Sequence, residues 1–199
     1  MIVQDLNFRY YCKEYVIVES TGIARYLGGP AEADGVLLAG FIHPEDGMCF
    51  LSVDTAVCVK GTRVHQADCP HIFIRENTLL RNTVQPYAVS SEEEDELERI
   101  YEKAVLCYRP SRSLEALRAD VRLDHWRLRQ FPDHLCIPVS DDGEVTVQME
   151  GIRGRSICGT VTQVRGTVND LKQGDAVRVG FMKKTDRCDL FIWKRSLQP

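Results

Sequence analysis

The sequence predicts an α+β protein, and three observations carry that prediction. Short β-branched and apolar runs fill the first ninety residues, a capped amphipathic stretch and a second helical stripe occupy the middle, and five brief strand patterns separated by turn residues fill the rest. The expected organisation is a β-rich N-terminal antiparallel region over residues 1–89, a central helical hairpin over 90–131, and over 132–199 a basic module built as a small β-barrel or curled antiparallel sheet.

The N-terminal strands are read from composition and period. Tyr15 to Val18 is β-branched and aromatic, and Val36 to Ile42 is apolar enough to be covered on both faces. His43-Pro44-Glu45-Asp46-Gly47 supplies turn chemistry before Met48 to Val53, which makes a hairpin, and further strands are expected at Ala56 to Lys60 and His71 to Arg75. Between the first two strands, Thr21 to Leu27 reads as a short helix ended by Gly28-Gly29-Pro30.

From Ser91 the period changes to that of a helix. Ser91 and Glu94 fit a capping box, three glutamates face the positive end of the helix dipole, and Leu97, Ile100, Tyr101, Ala104 and Tyr108 recur at helical spacing before Pro110. A second helix is expected from Ser113, with Leu114, Leu117, Val121 and Leu128 on one stripe, ending before Pro132. Strand patterns then return at His134 to Val139 and Glu144 to Met149, flanking the hairpin signal Ser140-Asp141-Asp142-Gly143, and continue at Ile157 to Val164, Ala176 to Phe181 and Leu190 to Trp193.

Composition narrows the function classes. A chain of 199 residues, 44% hydrophobic, can bury about 70% of its unfolded surface without metal or disulfide staples. With 27% charged residues, 8 Pro and 14 Gly, it is neither collagen-like nor largely disordered. The longest apolar run, Gly35 to Ile42, is far short of the roughly 20 residues of a membrane span, and the N-terminus lacks a secretory pattern. A cytoplasmic protein with no membrane partner is therefore expected. Its eight scattered cysteines, with no Cys-x-x-Cys pair, are expected to be reduced.

The net charge of -4 conceals two opposed fields. Residues 1–150 hold 15 Lys and Arg against 25 Asp and Glu, a balance of -10, whereas residues 151–199 hold 10 against 4, a balance of +6. Such asymmetry points to contact between the basic part and a polyanion or an acidic surface.

Three constellations could carry chemistry. Cys58, His65, Cys69 and His71 bring sulfur and imidazole into fourteen residues, the ligand types zinc prefers, and the same residues would allow Cys69 to act as a thiol nucleophile with His65 or His71 as base. The acidic run Glu92 to Glu98 could face a basic partner, although helix-cap electrostatics also accounts for it. The basic module interleaves Arg153, Arg155, Lys183, Lys184 and Arg187 with Phe181, Phe191 and Trp193, the pairing that oligonucleotide-binding barrels use. Strand alternation puts Phe191 and Trp193 on one face, and since large aromatics usually fill small barrels, that face is expected to be the core.

The preferred reading is a non-enzymatic binding protein whose basic module contacts nucleic acid or an acidic protein through those five cations, with no cofactor required. The alternatives are a zinc-binding or thiol-dependent enzyme centred on Cys58, His65, Cys69 and His71, and an acidic interaction protein that neutralises a basic partner through residues 90–102.

Overall fold

The computed structural model describes residues 1–59, 62–64, 72–183 and 188–194, with the backbone path alone for 54–59, 62–64, 183 and 188. Two antiparallel sheets and a few helices form an α+β architecture, and the chain divides into two compact units, Met1–Arg109 and Pro110–Pro199.

In the first unit, β1 (Tyr15–Glu19), β2 (Gly35–His43), β3 (Gly47–Val59), β4 (Thr62–Val64), β5 (Phe73–Arg75) and β6 (Val84–Pro86) form one sheet in the order β4-β3-β2-β1-β6, with β5 also on β3. Helix α1 (Thr21–Tyr26) lies between β1 and β2, with the Ser20 hydroxyl accepting from the Ile23 amide as its N-cap. The apolar run of β2 is explained by cover on both faces. Val36, Leu38 and Ile42 enter a core with Val3, Leu6 and Tyr11 of the N-terminal segment, while Leu37, Ala39 and Phe41 enter another with Leu97, Tyr101 and Val105.

Those last three residues belong to α2 (Ser91–Val105), whose cap falls one residue earlier than the sequence suggests. The Glu93 carboxylate accepts from the Ser90 amide and hydroxyl at 3.2 and 2.8 Å, and also from the Tyr87 hydroxyl. Gly40 has no side chain because none fits: a Cβ there would sit 1.8 Å from the Tyr10 carbonyl oxygen. The strand expected at Ala56 to Lys60 is the continuation of β3, and that expected at His71 to Arg75 is described as strand from Phe73.

The second unit opens with α3 (Arg112–Ala119) and a 3-10 turn over Val121–Trp126 in place of one long helix. The Asp120 carboxylate accepts from the Arg122 amide, which ends one element and caps the next. This rotates the stripe: Val121 is exposed, and Leu123 takes the buried position beside Leu117.

Five strands follow, β7 (His134–Pro138), β8 (Glu144–Arg153), β9 (Ser156–Arg165), β10 (Ala176–Lys183) and β11 (Cys188–Lys194), in the order β11-β10-β9-β8-β7. The terminal strands do not pair, so the sheet is open and not a closed barrel. Its inner face, carried by Leu135, Ile137, Val145, Val147, Ile157, Val177 and Val179, packs with Leu117 and Leu123.

Beside this core, Arg118 grips Asp133 in a bidentate ion pair, Nε to Oδ1 at 2.9 Å and Nη2 to Oδ2 at 2.6 Å, with both side chains almost fully covered. Removing one partner strands a buried charge, at a cost of about 3–5 kcal/mol. Arg118→Ala should therefore lower the unfolding free energy in urea by about that amount. The double variant Arg118→Met, Asp133→Leu should recover most of the loss, and a single variant as stable as the parent would contradict the role given to the pair.

Candidate functional site

The cations singled out in the sequence lie mainly at one end of the second sheet. Because successive strands are antiparallel neighbours, the β8–β9 and β10–β11 connections leave the same end, and the β7–β8 and β9–β10 connections leave the other. The first end carries Arg153 at the close of β8, Arg155 in the turn and Lys183 at the close of β10. The side chain of Lys183 is not described, and Lys184 and Arg187 lie outside the described residues. The opposite connections carry Asp141, Asp142, Asp170 and Asp175.

Gly154 has φ of +65° as the first of the two residues between β8 and β9, the position for which a tight two-residue hairpin turn favours glycine. Arg155 follows it and is exposed.

Register fixes which side chains share a face, since directly opposed residues point the same way. Arg153 pairs with Ser156, Cys158 with Arg178, and Arg178 with Trp193. Ser156 and Cys158 are two apart, as are Trp193 and Phe191, so all of these lie on the outer face. The inner face takes Leu190 and Ile192 instead, opposite Phe181 and Val179.

This corrects the expectation that Phe191 and Trp193 fill the core. They stand outside it, stacked on one another with centroids 4.9 Å apart and planes 17° from parallel, and Phe191 is 42% exposed. Gly180 lies opposite Phe191 and leaves room for both rings: a Cβ there would come within 2.7 Å of Phe191 Cζ and 3.1 Å of Trp193 Cζ3.

Ion pairing separates the cations of this unit into two groups. Arg165 is bound to Glu144 at 3.1 Å and Lys194 to Asp175 at 3.0 Å. Arg122 chelates Asp120 and lies over the Phe181 ring, and Arg127 is held by Asp124 and the Pro132 carbonyl. The side chains of Arg153, Arg155 and Arg178 make no hydrogen bond or ion pair with a described residue. A groove of about 450 Å³ runs along β11 between Leu190–Lys194 and residues of the 138–140 and 167–171 segments, adjoining the two rings.

The remaining candidates behave differently. Only the backbone of Cys58 is described, in β3, and His65, Cys69 and His71 lie outside the described residues; among the described residues no group of His, Cys, Asp and Glu could hold a metal. The five cysteines whose side chains are described are not joined in disulfides with one another, and burial and the Glu144 carboxylate, which accepts from the Cys136 thiol, push the Cys136 pKa up to about 11. In the acidic run, Glu98 pairs with Lys13, and Glu93 serves the cap. No described helix is long and apolar enough to cross a membrane.

Comparison with known proteins finds no matching family model, no matching curated relative and no matching solved structure.

Two outcomes test the packing of this sheet. Gly180→Ala should displace the stacked rings while leaving the core intact, seen as a changed near-ultraviolet circular dichroism signal with an unchanged far-ultraviolet spectrum; identical near-ultraviolet spectra would contradict the packing. His134 Nδ1 is buried with no hydrogen-bond partner among the described residues, and burial holds the imidazole below its usual pKa of 6.5. Below about pH 6.5 the unfolded chain thus takes a proton that the folded chain refuses, so stability falls as pH falls. Replacing His134 with Phe should make the loss of melting temperature between about pH 7.5 and 5.5 smaller.

Proposed function

We propose that this chain is a non-enzymatic nucleic-acid-binding protein that holds phosphates through Arg153, Arg155 and Arg178 on the outer face of its second sheet. The observation that carries this reading is the coincidence, on one face, of Arg153, Arg178 and two aromatic rings turned out of the core, with Arg155 exposed in the adjoining turn and none of the three arginine side chains paired with a described residue. Arginine's planar fork of donors matches phosphate oxygens, and exposed rings beside cations suit a ligand that is both charged and flat.

Affinity of this kind comes from counterion release and is read from its salt dependence. Each phosphate neutralised on a single strand contributes about 0.7 to the slope of log affinity against log salt, so three arginines account for a slope of about -2. The double variant Arg153→Ala, Arg155→Ala should flatten the measured slope by about 1.4 and weaken all sequences alike, without lowering the melting temperature. Absence of binding at about 50 mM salt, or a slope unaffected by the double variant, would refute the reading.

A further inference from the structure

We infer that the ligand is single-stranded, with unpaired bases stacked on the free faces of the Phe191–Trp193 pair. This rests on the nucleic-acid reading above and specifies which form of nucleic acid the face accepts. In a duplex the base faces are covered by their neighbours, and only groove edges and phosphates are presented. Two aromatic rings on an open sheet face can make nothing of that, whereas an unpaired base offers them a π-face.

The geometry suits the second case. The two rings already form a stack 4.9 Å between centroids over Gly180, Phe191 is 42% exposed and Trp193 half-buried, and a base can extend the stack on the face of a ring turned away from its neighbour. Arg178 is the direct cross-strand neighbour of Trp193. Phe191 faces Gly180, the next register step sets Gly180 beside Ser156, and Ser156 pairs with Arg153.

Arg153 therefore stands in the same row as Phe191, three strand spacings or about 14 Å away. A single strand crossing β11, β10, β9 and β8 would keep bases on the rings while its phosphates pass Arg178 and reach Arg153 and Arg155. Two carboxylates border this path and confine it: Glu150, which accepts from the Thr160 hydroxyl at 2.5 Å, and Asp189, on the same face of β11 beyond Phe191. Stacking of this kind tolerates any base, so sequence preference should be weak.

The chain has two tryptophans, and Trp126 packs against the core, so Trp126→Phe leaves Trp193 as the reporter. Full-length protein is titrated with a thymidine oligonucleotide of about a dozen residues and, separately, with a blunt duplex of the same length. The expected result is quenching of Trp193 emission that saturates with single-strand binding, and duplex affinity lower by about tenfold or more without quenching. Trp193→Leu should weaken single-strand binding by about 10- to 100-fold and leave duplex binding unchanged, and Trp193→Phe should restore most of it. Equal affinity for both forms without quenching would overturn this inference alone. Failure of both forms to bind would overturn the nucleic-acid reading and this inference with it.

Discussion

The second sheet has one core, and the two-residue period of its strands decides which side chains enter it. Val177 and Val179 on β10, with Leu190 and Ile192 on β11, are turned inward together by their register. Once they fill the inner face, Arg178 and Gly180 on one strand and Phe191 and Trp193 on the other are committed to the outside. A slip of one residue would reverse every assignment. It would bury arginine and expose valine, so the apolar core locks the polar face as firmly as it locks itself.

Much of this was legible from the sequence because period is a local property. The fold class, the hairpin around Asp141–Gly143 and the stripe of α2 from Leu97 to Ala104 follow from spacing alone, whereas Tyr108, expected on the same stripe, lies in a 3-10 turn past the helix end and is exposed. Helix ends were less secure: Ser90 and Ser91 are both competent caps, and Glu93 selects Ser90 by reaching its amide. Spacing alone carries the second helix past Asp120, whereas the Asp120 carboxylate accepts from the Arg122 amide and breaks it there. Alternation places Phe191 and Trp193 on one face, but which face depends on the partner strand. Gly180 gains its meaning only when it stands opposite Phe191, a relation between strands that no single-strand pattern contains.

Charge was legible in amount and not in use. The balance of +6 over residues 151–199 includes Arg165 and Lys194, which are bound to acids, and one of those acids, Glu144, lies outside that range. Divided where the structure divides, residues 110–199 hold 15 basic against 12 acidic side chains, a net of +3. The field that matters is smaller and better placed than the count implied. It consists of arginines left unpaired among the described residues, beside two rings that the core did not need. Composition cannot separate a cation that balances a neighbour from one that does not.

The most direct test of this account is photochemical cross-linking of a single-stranded oligonucleotide to the full-length protein, with the linked peptides identified by mass spectrometry. The account predicts cross-links at Phe191 or Trp193 and in the Arg153–Arg155 turn, lost together at high salt. Cross-links confined to the 139–143 and 166–175 connections, or to residues 1–109, would contradict it.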